Sequence, residues 1–212
     1  MNKDLVGLDR AFTNHYKELL DIQRVLYEQY KEYDFDLNKT EITEAVCQRM
    51  MAFWHFHYNN THELLIRNVT TPAADFFTET CMLFFKVFFE QRYSCRVRSE
   101  KSIVKNKNAV RPDLSIWNSD ETKLLAAIEL KVNDGWKRKD METHLVDRES
   151  IVKYHYPNAY FGVISFWNFF NTEDHNWRVR NVGLVTYDQN NSHPRTDGLI
   201  EDIMKEIEKQ IL

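Results

Sequence analysis

Apolar side chains at Leu8, Phe12, Leu19, Ile22, Leu26 and Tyr30 recur at three-, four- and seven-residue steps, the period of a helix over residues 8–31. A polar link, Asp34 to Lys39, follows. Asn38 with Glu41 three residues on has the spacing of a capping box. It predicts a second helix to about Tyr58, with Ile42, Val46, Met50, Phe53 and Trp54 along its apolar side. A third helix is announced by Thr71 as N-cap and Pro72 at the first helical position. It runs to about Gln91 through Phe76, Leu83, Phe84, Val87 and Phe88. Beyond Gln91 the period changes to alternation. Residues 94–104, 110–117 and 122–132 read as three strands, separated by turns at 105–108 and 118–121. A helix over 140–155, a buried strand over 159–167, a strand over 181–187 and a helix over 196–212 complete the chain. Helices, a three-strand meander, then helix and strand predict an α/β sandwich around a mixed sheet.

The chemistry lies in the meander. Alternation puts Ala126, Ile128, Leu130 and Val132 on one face of the third strand, and Glu129 with Lys131 on the other. Pro112-Asp113 stands near the start of the second strand. Antiparallel pairing brings that start beside the end of the third, so two carboxylates and a lysine converge at one end of a sheet. The plainer alternative makes Glu129 and Lys131 a solvated strand face and Pro112 a strand starter.

Pro112-Asp113 followed by Glu129-Leu130-Lys131 resembles the signature of the PD-(D/E)XK, or restriction-endonuclease-like, nuclease superfamily. The resemblance implies a restriction-endonuclease-like core, a mixed central sheet flanked by helices, over residues 71–170. Residues 1–70 are then a helical extension and 171–212 a C-terminal strand and helix, all within one domain. It also implies hydrolysis of phosphodiester bonds, chiefly in DNA, with Mg²⁺ held by Asp113 and Glu129 and Mn²⁺ able to substitute. A phosphodiester repels hydroxide, and a divalent cation on oxygen ligands offsets that charge and acidifies its bound water. The Leu130 carbonyl is a candidate third ligand. Lys131 would orient or deprotonate the water, or steady the charge of the transition state.

Many members of the superfamily add a carboxylate from the helix before the meander, and Glu79 and Glu90 are the candidates. Rise per residue brings Glu79 level with Asp113 and leaves Glu90 near the connecting loop. Glu79 is read as lying on the core-facing side. Glu100 is the one acid among seven basic residues from Arg92 to Arg111, and should face Asp113. It can join the site or pair with Arg98 or Arg111.

Net charge alone argues against nucleic acid, since the formal total is −4. Its distribution reverses that inference. Residues 1–91 sum to −5, residues 92–180 to +4, and residues 181–212 to −3. Arg96, Arg98, Lys101, Lys105, Lys107 and Arg111 cluster on the first hairpin, and Lys137, Arg138 and Lys139 follow the third strand. These are the candidate phosphate-backbone contacts. His144, on the helix after the third strand, is a further candidate for substrate contact. Three cysteines without a C-x-x-C pair speak against disulfides and a cysteine-built zinc site. No signal peptide or membrane span is evident, so a cytoplasmic protein without a membrane partner is expected. A homodimer is compatible with this reading. The competing expectation is a catalytically inactive protein of the same fold, acting as a nucleic-acid-binding or assembly module.

Overall fold

The computed structural model describes residues 4–65, 74–105, 109–132, 141–166, 179–181 and 200–212. The chain forms two compact units, Met1–Phe35 and Asp36–Leu212. The first is a single helix, α1 (Leu5–Lys31), with Tyr16, Leu19, Ile22 and Val25 exposed along it.

The second unit runs α2 (Glu41–Leu65), α3 (Ala74–Tyr93), β1 (Arg96–Arg98), β2 (Leu114–Trp117), β3 (Leu124–Lys131), α4 (Met141–His155), β4 (Tyr160–Ser165), β5 (Val179–Asn181) and α5 (Ile200–Glu208). The five strands form one mixed sheet in the order β1-β2-β3-β4-β5. The first three make an antiparallel meander, and β4 and β5 add in parallel. The parallel β3–β4 pair needs a crossover between its strands, which α4 supplies.

The strands are shorter than their alternating stretches. Glu100 sits at φ 53°, in the left-handed region, and ends the extended run after Arg98. Two backbone bonds, Glu100 N–H to the Pro112 carbonyl (3.2 Å) and Ile103 N–H to that of Val110 (3.1 Å), still hold the hairpin closed. Of the strand predicted at 181–187, residues 182–187 lie outside the described residues, as do Thr71 and Pro72.

Both faces of β3 are buried. Ala127 packs with Phe161 and Val163 of β4 under Leu145 and Val152 of α4. The opposite face carries Ala126, Ile128 and Leu130, and α3 packs on that strand with Phe77, Phe84, Phe85 and Phe88 among its buried residues. Glu129 and Lys131 share Ala127's face. That face is covered by α4, which corrects the reading of a solvated strand.

The start of α2 also departs from expectation. Asn38 bonds the Asp36 carboxylate instead of capping the helix. The cap comes from α5: Glu201 Oε1 accepts the Ile42 (2.7 Å) and Thr43 (3.0 Å) N–H groups, and its other oxygen accepts the Thr43 hydroxyl. The Ile200 N–H bonds back to Thr43 Oγ1 at 2.9 Å. An anionic group at a helix N-terminus satisfies orphan donors and meets the positive end of the dipole. Cys47, Cys81 and Cys95 are buried and stand outside any disulfide among the described residues. Among the described residues no helix is long and apolar enough to cross a membrane.

Candidate active site

Strand register assembles the site. Leu114 pairs with Ile128, so one step further Asp113 faces Glu129. On the other side, Glu100 bonds the carbonyl of Pro112, the residue before Asp113. Because β2 begins at Leu114, the Leu130 N–H has no ladder partner there, and Asp113 Oδ2 accepts it at 2.7 Å. The carboxylate thus extends the sheet where the strand has not yet begun. The Lys131 carbonyl accepts the Phe166 N–H beyond β4. Alternation therefore directs the Leu130 carbonyl to the opposite side, toward Asp113.

Lys131 Nζ lies 3.2 Å from Asp113 Oδ2 and 3.2 Å from Glu129 Oε2. The second Glu129 oxygen faces α4, where Arg148 Nη2 stands 2.8 Å from Oε1. That separation makes an ion pair. Nη2 donates to the Arg111 carbonyl at 2.5 Å. Among the described residues, Glu129 Oε1 and Arg148 Nε are left buried without hydrogen-bond partners. Glu129 is only 1% exposed. Its burial pushes the carboxyl above the ordinary 4.5, against the pull of Lys131; Asp113 adds to the rise and Arg148 opposes it.

These groups line a cleft of about 480 Å³ that also takes in Glu100, Arg111, His144 and Asp147. Among the described residues no three His, Cys, Asp or Glu side chains stand together as a metal-holding group. Mg²⁺ is commonly held by one or two carboxylates with several waters retained. Asp113, Glu129 and the Leu130 carbonyl are hard oxygen donors of that kind, and Glu129 Oε1 is a buried acceptor lacking a donor. The donor set fits such a cation.

The other candidates separate. Glu79 is exposed, which corrects its core-facing placement, because the buried side of α3 passes through Phe77, Thr80 and Cys81; nor does it line the cleft. Glu90 pins α3 to β1 by accepting the Val97 N–H (3.1 Å) and pairing with Lys86 (2.7 Å). Glu100 is exposed and lines the cleft. Of the basic residues, Arg98 and Lys101 both pair with Glu121, and Lys101 also lies 4.3 Å over the Trp117 ring. Their charges hold Glu121 below its ordinary 4.5, the Lys101 hydrogen bond contributing most. Arg96, Lys105 and Arg111 are exposed, with Arg111 Nε on Ser102 Oγ at 3.1 Å. Lys107, Lys137, Arg138 and Lys139 lie outside the described residues.

Arg148 and Asp147 escaped the sequence reading. The available signal was helical spacing, since Arg148 stands four residues after His144 and so shares its face. Compared with known proteins, the chain matches no protein-family model, no curated protein and no solved structure.

Proposed function

We propose that the protein is a divalent-cation-dependent nuclease of PD-(D/E)XK type, hydrolysing phosphodiester bonds in DNA. The observation that carries this reading is the convergence of Asp113 and Glu129 on Lys131 Nζ, both at 3.2 Å, in an open cleft at the end of β3. The order helix, antiparallel meander, crossover helix and parallel strand supports a restriction-endonuclease-like core.

Asp113 and Glu129 would hold the cation, with the Leu130 carbonyl beside them. A bound Mg²⁺, or Mn²⁺ in its place, would offset the phosphate charge and lower the pKa of the attacking water. Lys131, already between the two carboxylates, would orient that water and counter the charge growing on the phosphoryl oxygens. Arg111 at the cleft and the exposed Arg96 and Lys105 supply cations for the phosphate backbone, whereas Arg98 and Lys101 are committed to Glu121.

Incubation of supercoiled and linear DNA, and of RNA, with wild type and Lys131→Ala in Mg²⁺ or Mn²⁺ tests the reading. Wild type is expected to cleave DNA, with Lys131→Ala slower by about a hundredfold or more. Equal behaviour of the two proteins on every substrate would sink it. The second reading, a nucleic-acid-binding or assembly module without activity, is favoured by one observation: both Glu129 oxygens already face a protein cation. Calorimetry finding no divalent site that Asp113→Asn removes would support the module.

A further inference from the structure

Arg148 lies outside the motif and is bound to it unusually. Its Nη2 is 2.8 Å from Glu129 Oε1, yet the hydrogen bond from that nitrogen goes to the Arg111 carbonyl. The contact with Glu129 is an ion pair, and among the described residues Glu129 Oε1 and Arg148 Nε are buried without hydrogen-bond partners. Native interiors seldom leave such atoms unsatisfied, and one beside a cleft calls for an explanation, such as a bound ion. The Arg148 side chain is 20% exposed and borders the same cleft, so it has room to leave. Two carboxylates, Asp113 and Glu129, balance two cations, Lys131 and Arg148. A dication added with Arg148 in place would bring that group to +2, and a departing guanidinium would halve the excess.

We infer that Arg148 is a built-in counter-ion that keeps the divalent cation's place on Glu129. It swings off toward the substrate phosphate when the cation binds. The inference rests on the proposed metal site and adds a positioning residue to it: Arg148 sets the cation concentration at which the site fills and couples filling to phosphate capture. A guanidinium suits the second task because its fork matches phosphate oxygens.

Calorimetric titration of Mn²⁺ alone into wild type, Arg148→Met, Arg148→Lys and Asp113→Asn tests the idea. If Arg148 occupies its place about nine-tenths of the time, Arg148→Met should bind Mn²⁺ about tenfold more tightly. Arg148→Lys should stay near wild type, because charge at that position is retained. Arg148→Met should also bind a short DNA duplex more weakly in the presence of Ca²⁺. Should Arg148→Met bind Mn²⁺ no more tightly than wild type at a site that Asp113→Asn removes, the counter-ion role is overturned and the metal site stands. Absence of any Asp113-dependent site in both proteins overturns the counter-ion and the metal reading together. Should Arg148→Met fail to fold, wild type still decides by NMR. The Arg148 Nε–H resonance, identified by its loss in Arg148→Lys, is expected to move on saturation with Mg²⁺, and an unmoved resonance rejects the inference.

Discussion

Two glutamates in this protein are equally hidden and differently used. Glu201 and Glu129 are each 1% exposed. Glu201, in the first turn of α5, is met by neutral donors: two backbone N–H groups and the Thr43 hydroxyl at the start of α2. Glu129, near the end of β3, is met by Lys131 and Arg148, and one of its oxygens accepts no hydrogen bond. A buried carboxylate whose lone pairs are filled by the fold itself is a joint. One held by two cations at the wall of a cleft has an acceptor that the fold has not filled. The burial is the same; what differs is whether every acceptor is satisfied from within.

The largest expected effect that would break this contrast is on stability. Glu201→Ala removes the acceptor of three donors and should cost about 3 kcal/mol in urea unfolding, since each buried orphan costs about 1–3 kcal/mol. Glu129→Gln should change stability by less than about 1 kcal/mol, because Lys131 keeps Asp113, Arg148 keeps the Arg111 carbonyl, and both border the cleft. A Glu129→Gln protein destabilised as much as Glu201→Ala would make both residues joints.

A smaller effect concerns the basic hairpin. Glu121→Gln takes the Glu121 charge from Arg98 and Lys101, leaving Arg98 a 3.9 Å pair with Glu90. DNA affinity at low salt should rise several-fold, and the slope of log K against log salt should steepen by up to about 2, roughly 0.9 per recruited phosphate contact. An unchanged slope would mean that this face does not meet the backbone.

The smallest effect lies at the far end of α5, where the Tyr93 hydroxyl donates to Glu208. Burial first, and then this bond, raise the phenol from 10.0 to about 12. A raised folded-state pKa means a contribution fully present below pH 10 and lost as pH rises toward about 12. The stability difference between wild type and Tyr93→Phe should therefore be constant at neutral pH and shrink between pH 10 and 12. A difference that persists undiminished to pH 12 would show that folding does not raise the phenol.

Much of the candidate site was legible because it is local. Asp113 stands just before β2 and Glu129 and Lys131 lie on β3 of a short meander, where the period of two decides the face and antiparallel register decides the neighbour. The same arithmetic brought Glu100 to the cleft, although its backbone pairs with Pro112 rather than Asp113. It was less successful with Glu79, because the apolar side of α3 is too broad for spacing alone to say which edge faces the core. The basic hairpin was legible as composition but not as surface, since Glu121 takes two of its cations from across a turn.

Alternation and helix period, both set by backbone geometry and readable within a few residues, determined the succession of elements, the mixed α/β character and the face shared by Glu129 and Lys131. Tertiary structure alone decided that Glu201 rather than Asn38 caps α2, across 158 residues of chain, and that Arg148 of α4 stands over Glu129. The reason is the same in both cases. Covalent geometry fixes where neighbours point, whereas the partner of a buried charge is chosen by which distant element folds back to satisfy it.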